Sequence, residues 1–312
     1  MSLKVLQGDC REVLKTMPDK TFHTCVTSPP YWGLRDYGED NQLGLEETPQ
    51  EYVANLVEVF REVRRVLRDD GTVWLNLGDS YSSGGRKTTT NQTVRGDTDY
   101  GVTRPPVYKG IKPKDLVGIP WRVAFALQED GWYLRQDIIW NKPNPMPESV
   151  KDRCTKSHEY IFLLSKSKNY YFDNESIKEE ASEGTDYGIL RSKKQASLNH
   201  PSIFKRQNEN IDSKLAGDGQ RNKRSVWTVT IKPYKEAHFA TYPPDLIEPC
   251  ILAGCPEEGH VLDPFGGAGT TGLVADRLGR NATLIELNKS YADIMEKRLR
   301  NDNSLFLDLE IT

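Results

Sequence analysis

Seven short apolar runs recur along the 312-residue chain, with helical patterns between many of them. They occupy residues 4–6, 22–27, 72–77, 132–140, 159–165, 260–263 and 282–286. Apolar side chains on consecutive positions, many of them β-branched, mark strands covered on both faces, as in a parallel sheet. Between them, residues 49–69 place Tyr52, Leu56, Val59, Val63 and Val66 at spacings of three and four, with Asp70-Gly71 as a stop. Residues 116–130, 244–253, 271–278 and 291–300 read as further helices. Strands alternating with helices predict a doubly wound, Rossmann-like α/β sheet.

Two stretches break this rhythm. Residues 82–114 are rich in Gly, Thr, Asn and Pro, and residues 174–224 are polar and weakly periodic. Long irregular insertions in a compact domain tend to carry function or remain disordered. The expected organisation is one catalytic domain, 1–173 with 225–312, interrupted by 174–224 and by a second variable insertion at 82–114.

Charge is distributed unevenly around a net of −3. Residues 36–70 carry ten acidic and four basic side chains, whereas 190–224 carry nine basic and three acidic. Residues 81–115 are also basic, seven against three. Two basic segments on a mildly acidic chain suit a localised polyanion-binding face, although solvated loops of ordinary composition look the same. The five cysteines form no CxxC pair and suit reduced thiols, so neither a disulfide frame nor a structural metal is expected. No apolar run reaches the ~20 residues that span a bilayer, and the N-terminal residues lack the apolar stretch of a signal peptide. The expected location is the cytoplasm, with no membrane partner.

Two motifs carry chemistry. The first, Ser28-Pro29-Pro30-Tyr31-Trp32, directly follows a strand. Adjacent prolines fix the backbone and remove two N–H donors, leaving a stiff loop whose Ser28 hydroxyl and Pro29 carbonyl accept. Such a loop suits a group that donates two N–H bonds, such as an exocyclic amine. Tyr31 and Trp32 add flat surfaces on which a base can stack. A proline-rich turn over buried aromatics would read the same way.

The second motif runs from strand through glycines into a helix: Asp263-Pro264-Phe265-Gly266-Gly267-Ala268-Gly269-Thr270-Thr271-Gly272. Gly267, Gly269 and Gly272 satisfy GxGxxG, the pattern of dinucleotide-binding loops. Asp263 argues against that reading, because an acid beside a pyrophosphate is repelled whereas one near a cationic ligand is attracted. Glu286, at the end of the next strand, is placed to accept two ribose hydroxyls, or to start the following helix.

Together the two motifs resemble the DNA amino-methyltransferases, and their order resembles the β class, in which the catalytic loop precedes the cofactor loop. The resemblance spans nearly the whole chain outside the two insertions. Gly8-Asp9-Cys10 is similar to the family's acidic motif that contacts the cofactor, though Asp9 also suits a helix N-cap. The segment 237–243, with Thr241, is similar to the cofactor-binding loop before the last helix–strand unit. Asn76-Leu77-Gly78-Asp79, Trp140-Asn141-Lys142-Pro143-Asn144 and Ser157-His158-Glu159-Tyr160 are similar to segments around the target base, with His158 read as a strand-edge histidine.

The resemblance implies a seven-stranded methyltransferase sheet, with the first strands of the chain in its middle, and S-adenosylmethionine as cofactor. It implies a flipped-out base of double-stranded DNA as substrate and methyl transfer to an exocyclic amine. Ser28, Pro29, Pro30 and Tyr31 are the expected catalytic loop. Asp9, Cys10, Thr241, Asp263, Pro264, Phe265, Gly267, Gly269, Thr270, Thr271 and Glu286 are the expected cofactor contacts. Trp32, Lys142, Asn144, Lys193, Lys194 and Arg224 are the expected DNA contacts. Ser at the first position of the tetrapeptide favours cytosine N4 over adenine N6. A protein-glutamine methyltransferase is disfavoured by motif order, and a non-catalytic DNA-binding module leaves the glycine loop unexplained. Pairing with a cognate restriction endonuclease and action as a solitary enzyme both stay open, as do monomer and homodimer.

Overall fold

The computed structural model describes residues 2–34, 36, 38–39, 41–82, 111–180, 220–232, 242–302 and 308–311. Their contacts divide the chain into two units, Met1–Asp173 with Ser225–Thr312, and Asn174–Arg224.

The larger unit is built on one mixed sheet. Its strands are β1 (Ser2–Gln7), β2 (Phe22–Thr27), β3 (Leu67–Leu77), β4 (Tyr133–Asn141), β5 (His158–Ser165), β8 (Val226–Thr228), β9 (His260–Asp263), β10 (Asn281–Glu286) and β11 (Asp308–Ile311). They lie side by side in the order β11-β1-β10-β9-β2-β3-β5-β4-β8. The expected seven strands form the body, and the short β11 and β8 add one edge each.

Two expectations need correction. The sequence predicts that residues 159–165 run parallel, yet β5 is antiparallel to both of its neighbours, β3 and β4. Apolar composition reports burial on two faces, which a central antiparallel strand shares with a parallel one. The first strands of the chain are also not together in the middle. β2 is central, whereas β1 sits beside the edge strand β11, separated from β2 by β10 and β9.

Helices cover both faces. α1 (Cys10–Thr16), α2 (Pro49–Val66) and α3 (Ile119–Glu129) share one core with Cys25, Val73, Leu75, Leu262 and Ile285 of the strands. α2 begins on a capping box between Thr48 and Glu51, with Pro49 in its first turn, and buries Tyr52, Leu56, Val59, Phe60, Val63 and Val66. Its apolar face ends at Val66, and Leu67 already pairs with Phe22. The chain therefore leaves the helix before the expected Asp70-Gly71 stop.

On the opposite face lie α4 (Pro244–Gly254), α5 (Thr270–Arg277) and α6 (Lys289–Asn301). They approach closely through glycines. A Cβ at Gly254 would stand 2.7 Å from Trp74, and one at Gly272 would stand 2.8 Å from Leu284.

The insertion at 82–114 leaves and re-enters at one place. Ser82 N–H donates to the Asp115 carbonyl, and Lys114 N–H donates back to Ser82. In the smaller unit, β6 (Glu179–Glu180) pairs with β7 (Gln220–Arg221), and Glu179 accepts from Arg221 at 3.0 Å and Arg224 at 2.6 Å.

Candidate active site

The parallel strands all end at one edge of the sheet, and β5, running the other way, begins there. The loops at this edge surround a cavity of about 240 Å³. Such crevices, beyond the carboxyl ends of the strands, are the ligand sites of open α/β sheets.

One end of the cavity is built from the glycine loop and the strands around it. Pro264, Phe265, Gly267 and Thr270 line it, together with Asp9, Cys10 and Glu286. Asp263 does not, and neither do Gly269 and Thr271. Asp263 is buried beneath the loop and accepts from the Thr27 hydroxyl at 2.6 Å and the Phe265 N–H at 3.0 Å. Its other oxygen accepts from the Thr271 hydroxyl at 2.5 Å and the Tyr242 hydroxyl at 3.1 Å. Burial raises its pKa, against the pull of these four donors. Asp263 thus ties β9, β2, α5 and Tyr242 together; it fixes the loop and presents no free charge to a ligand. Gly269, at φ +77°, starts α5 with its backbone against Met295, where a Cβ would stand 2.4 Å from Cγ.

Glu286 does face the cavity. One oxygen accepts from Gly267 N–H at 2.8 Å and the other from Asn288 N–H at 2.9 Å. A carboxylate oxygen accepts twice, so each retains acceptor capacity. Burial pushes its pKa up to about 7, against those two bonds. Asp9 both lines the cavity and caps α1, accepting from Arg11 N–H at 2.9 Å. Burial acts to raise its pKa, but the hydrogen bonds and charge of Arg11 outweigh it and hold Asp9 below the ordinary carboxylate value. Burial pushes the Cys10 thiol up to about 12, which leaves it a neutral wall.

The other end is built on the β2 loop. Ser28, Pro29, Pro30 and Tyr31 all line the cavity. The Pro30 carbonyl accepts from the Tyr52 hydroxyl at 2.8 Å. The Ser28 hydroxyl and the Pro29 carbonyl have no hydrogen-bond partner among the described residues. The Tyr31 ring lies against Gly78, where a Cβ would be 2.5 Å from Cε2. Its hydroxyl donates to Asn76 Oδ1 at 3.1 Å and Glu159 Oε2 at 2.8 Å, as alternatives or as a shared bond. The other oxygen of Glu159 receives the ammonium of Lys142. That ammonium also lies 4.0 Å from the centroid of the Trp140 ring.

Several expected DNA contacts stand elsewhere. Trp32 is 1% exposed in the helix-side core, and its indole N–H donates to the Glu46 carbonyl at 3.0 Å. It cannot stack on a base without leaving that core, and this corrects the expectation. The sequence shows an aromatic after Tyr31 but not which way the loop turns. Asn144 spends its side-chain amide on the backbone of Ile231, donating at 3.2 Å and accepting at 3.0 Å. Lys142 lies within the cavity wall. Arg224 pairs with Glu179 in the smaller unit. Thr241, Lys193 and Lys194 lie outside the described residues. Asp79 caps α3, accepting from Gly118 and Ile119 N–H at 2.9 and 3.1 Å.

The model of the family described as DNA methylase, N6_N4_Mtase, matches residues 22–297. The chain belongs to this family of N6/N4 DNA methylases. Its members act with S-adenosylmethionine, and in this methylase the glycine loop and the Ser28-Pro29-Pro30-Tyr31 loop line one cavity. It is 49% identical to type II methyltransferase M.SmaI of Serratia marcescens, over 96% of this chain and 91% of the relative. It is 47% identical to type II methyltransferase M.Cfr9I of Citrobacter freundii, over 96% and 88%. The methylase also shares its fold with two solved structures. A putative DNA modification methylase of Thermus thermophilus, complexed with S-adenosyl-L-methionine, aligns at TM-score 0.61 and 24% identity, over 99% of each chain. The PvuII DNA methyltransferase, described as cytosine-N4-specific, aligns at TM-score 0.61 and 18% identity, over 97% of this chain and 91% of that one.

Within the segments marked by the resemblance, the structure picks out Tyr242, which reaches Asp263, and Asn76 and Glu159, which hold Tyr31. Arg11, which holds Asp9, is a site residue that the motifs do not single out.

Proposed function

We propose that this methylase transfers a methyl group to the exocyclic amine of a base flipped out of double-stranded DNA, with cytosine N4 as the target. The observation that carries the reading is the pair of unclaimed acceptors, Ser28 Oγ and Pro29 O, in one cavity with the glycine loop and Glu286. An amine has two hydrogens to give, and the loop offers two oxygens to take them.

The residues present fit the family cofactor. Glu286 retains acceptor capacity for two hydroxyls, Phe265 offers an apolar ring, and Thr270 opens a helix at the cavity wall. Asp9, Phe265, Gly267, Thr270 and Glu286 would hold it. S-adenosylmethionine supplies, when bound, an electrophilic methyl group on a positively charged sulfur.

The chain's own residues prepare the nucleophile. Ser28 and Pro29 accept the two amine hydrogens and draw the nitrogen toward tetrahedral geometry. This localises a lone pair that otherwise delocalises into the ring. Tyr31, fixed by Asn76 and Glu159, supports the base by stacking. Positioning and electrostatics supply most of the rate. No base must act first, because the nitrogen becomes acidic only once it has acquired the methyl group. Flipping the base from the duplex costs roughly a few kcal/mol.

The order of the two motifs, amine loop before cofactor loop, is that of the β class, with 174–224 as the target-recognition region. The type II relatives support work beside a cognate restriction endonuclease. Cytosine is favoured over adenine because Ser28-Pro29-Pro30-Tyr31 resembles the tetrapeptide of the cytosine subgroup, which carries Ser where the adenine subgroup carries Asp or Asn. Digestion of DNA methylated in vitro and mass spectrometry of its nucleosides test this. N4-methylcytosine is the expected product, and N6-methyladenine as sole product overturns the choice of base.

A further inference from the structure

We propose that Lys142, held by Glu159, reads the acceptor edge of the target base and selects a pyrimidine; the inference rests on the cytosine reading above. Lys142 is 14% exposed and Glu159 17%, so both charges sit largely out of water. One N–H of the ammonium goes to Glu159. The Trp140 face lies beneath it at 4.0 Å, and the Trp140 indole N–H is itself spent on the Val229 carbonyl at 2.8 Å. No other hydrogen-bond partner of the Lys142 ammonium is found among the described residues, although an ammonium has three donors.

Donors left unmade in a buried cation are costly. Their position suggests what completes them. Lys142 and Ser28 line the same cavity, and Glu159 links Lys142 to Tyr31, three residues beyond Ser28. A base whose amine is held by Ser28 and Pro29 and whose ring stacks on Tyr31 presents its Watson–Crick edge to this part of the wall.

Cytosine carries two acceptors next to that amine, N3 and the O2 carbonyl. Adenine carries only N1, followed by a C–H. An ammonium with two N–H to place is satisfied by cytosine and half-satisfied by adenine, and a site built to hydrogen-bond rejects what leaves it unpaired. Glu159 is the positioning residue. It fixes the ammonium with one oxygen and the stacking ring with the other. It also offsets the positive charge, which would otherwise withdraw electrons from the attacking amine.

The test uses the full chain and duplex DNA carrying its mapped target. The target base is cytosine, 2-thiocytosine or adenine. Wild type is expected to favour cytosine over 2-thiocytosine by about tenfold or more in kcat/KM, the scale of one good base contact. Lys142→Met should lose about tenfold or more on cytosine, respond little to the sulfur, and show a smaller cytosine-to-adenine ratio, while S-adenosylmethionine affinity by calorimetry stays unchanged. Lys142→Gln, which keeps a donor, should fall between the two and serves if the Met variant does not fold. Unchanged discrimination in both variants overturns the role of Lys142 while leaving cytosine methylation standing. N6-methyladenine as the wild-type product overturns both.

Discussion

Asp263 and Glu286 end neighbouring strands and answer burial in different ways. Asp263 meets four donors and faces no ligand. Asp263→Ala strands three hydroxyls and an N–H, so the expected loss is roughly 2–5 kcal/mol of fold stability. Thermal unfolding without cofactor checks it, and an unchanged Tm with weakened cofactor binding would show that the acid acts on the ligand directly. Glu286 has a folded pKa of about 7 against an ordinary 4.5. Between those values the folded state binds the extra proton. Its stabilisation is full below about pH 4.5 and lost as pH rises to about 7, on the order of 3 kcal/mol. Glu286→Gln should flatten that part of the stability–pH curve. Cofactor hydroxyls that donate to the carboxylate favour its charged form, so affinity should rise with pH up to about 7 in wild type and stay level in Glu286→Gln. Calorimetric titration at several pH values measures both.

At the scale of elements, the loop after β2 works because its surroundings leave it one shape. The Tyr31 ring occupies the space where Gly78 has no side chain. Gly78→Ala should displace the ring and lower kcat about as much as Tyr31→Ala does, with cofactor affinity retained; single-turnover kinetics beside equilibrium titration separate the two. Trp32→Ala should instead cost about 3–5 kcal/mol of stability, seen in denaturant unfolding, because the indole is a core residue. The strands, the helices between them and the two loops were legible in the sequence, since burial and glycine punctuation write themselves into composition. The direction of β5 and the place of β1 were not, because pairing is chosen between segments far apart in the chain. For the same reason Asp263 looked like a ligand residue. Its partners Thr27 and Tyr242 approach only once the sheet has formed.

For the whole molecule, charge is the property that matters for DNA. The basic stretches fall largely outside the described residues, and 174–224 forms its own unit. If that unit carries the recognition surface, affinity for DNA should fall steeply with salt, with a log–log slope of roughly −0.9 per phosphate contact. Neutralising Lys193, Lys194, Lys205, Arg206 and Lys223 together should flatten the slope without changing cofactor affinity. Filter binding across a salt series gives the answer, and an unaltered slope would put the DNA surface elsewhere.

The strand order has a consequence for the chain as it is made. β1 and β2 do not pair with each other; β10 and β9, which follow both in the chain, fill the gap between them. Until those segments emerge, β1 lacks its inner neighbour, β2 has one bare side, and Thr27 waits for Asp263, 236 residues downstream. The nascent polypeptide therefore holds an open slot until β9 and β10 emerge, and the ability to mark DNA arrives all at once with them.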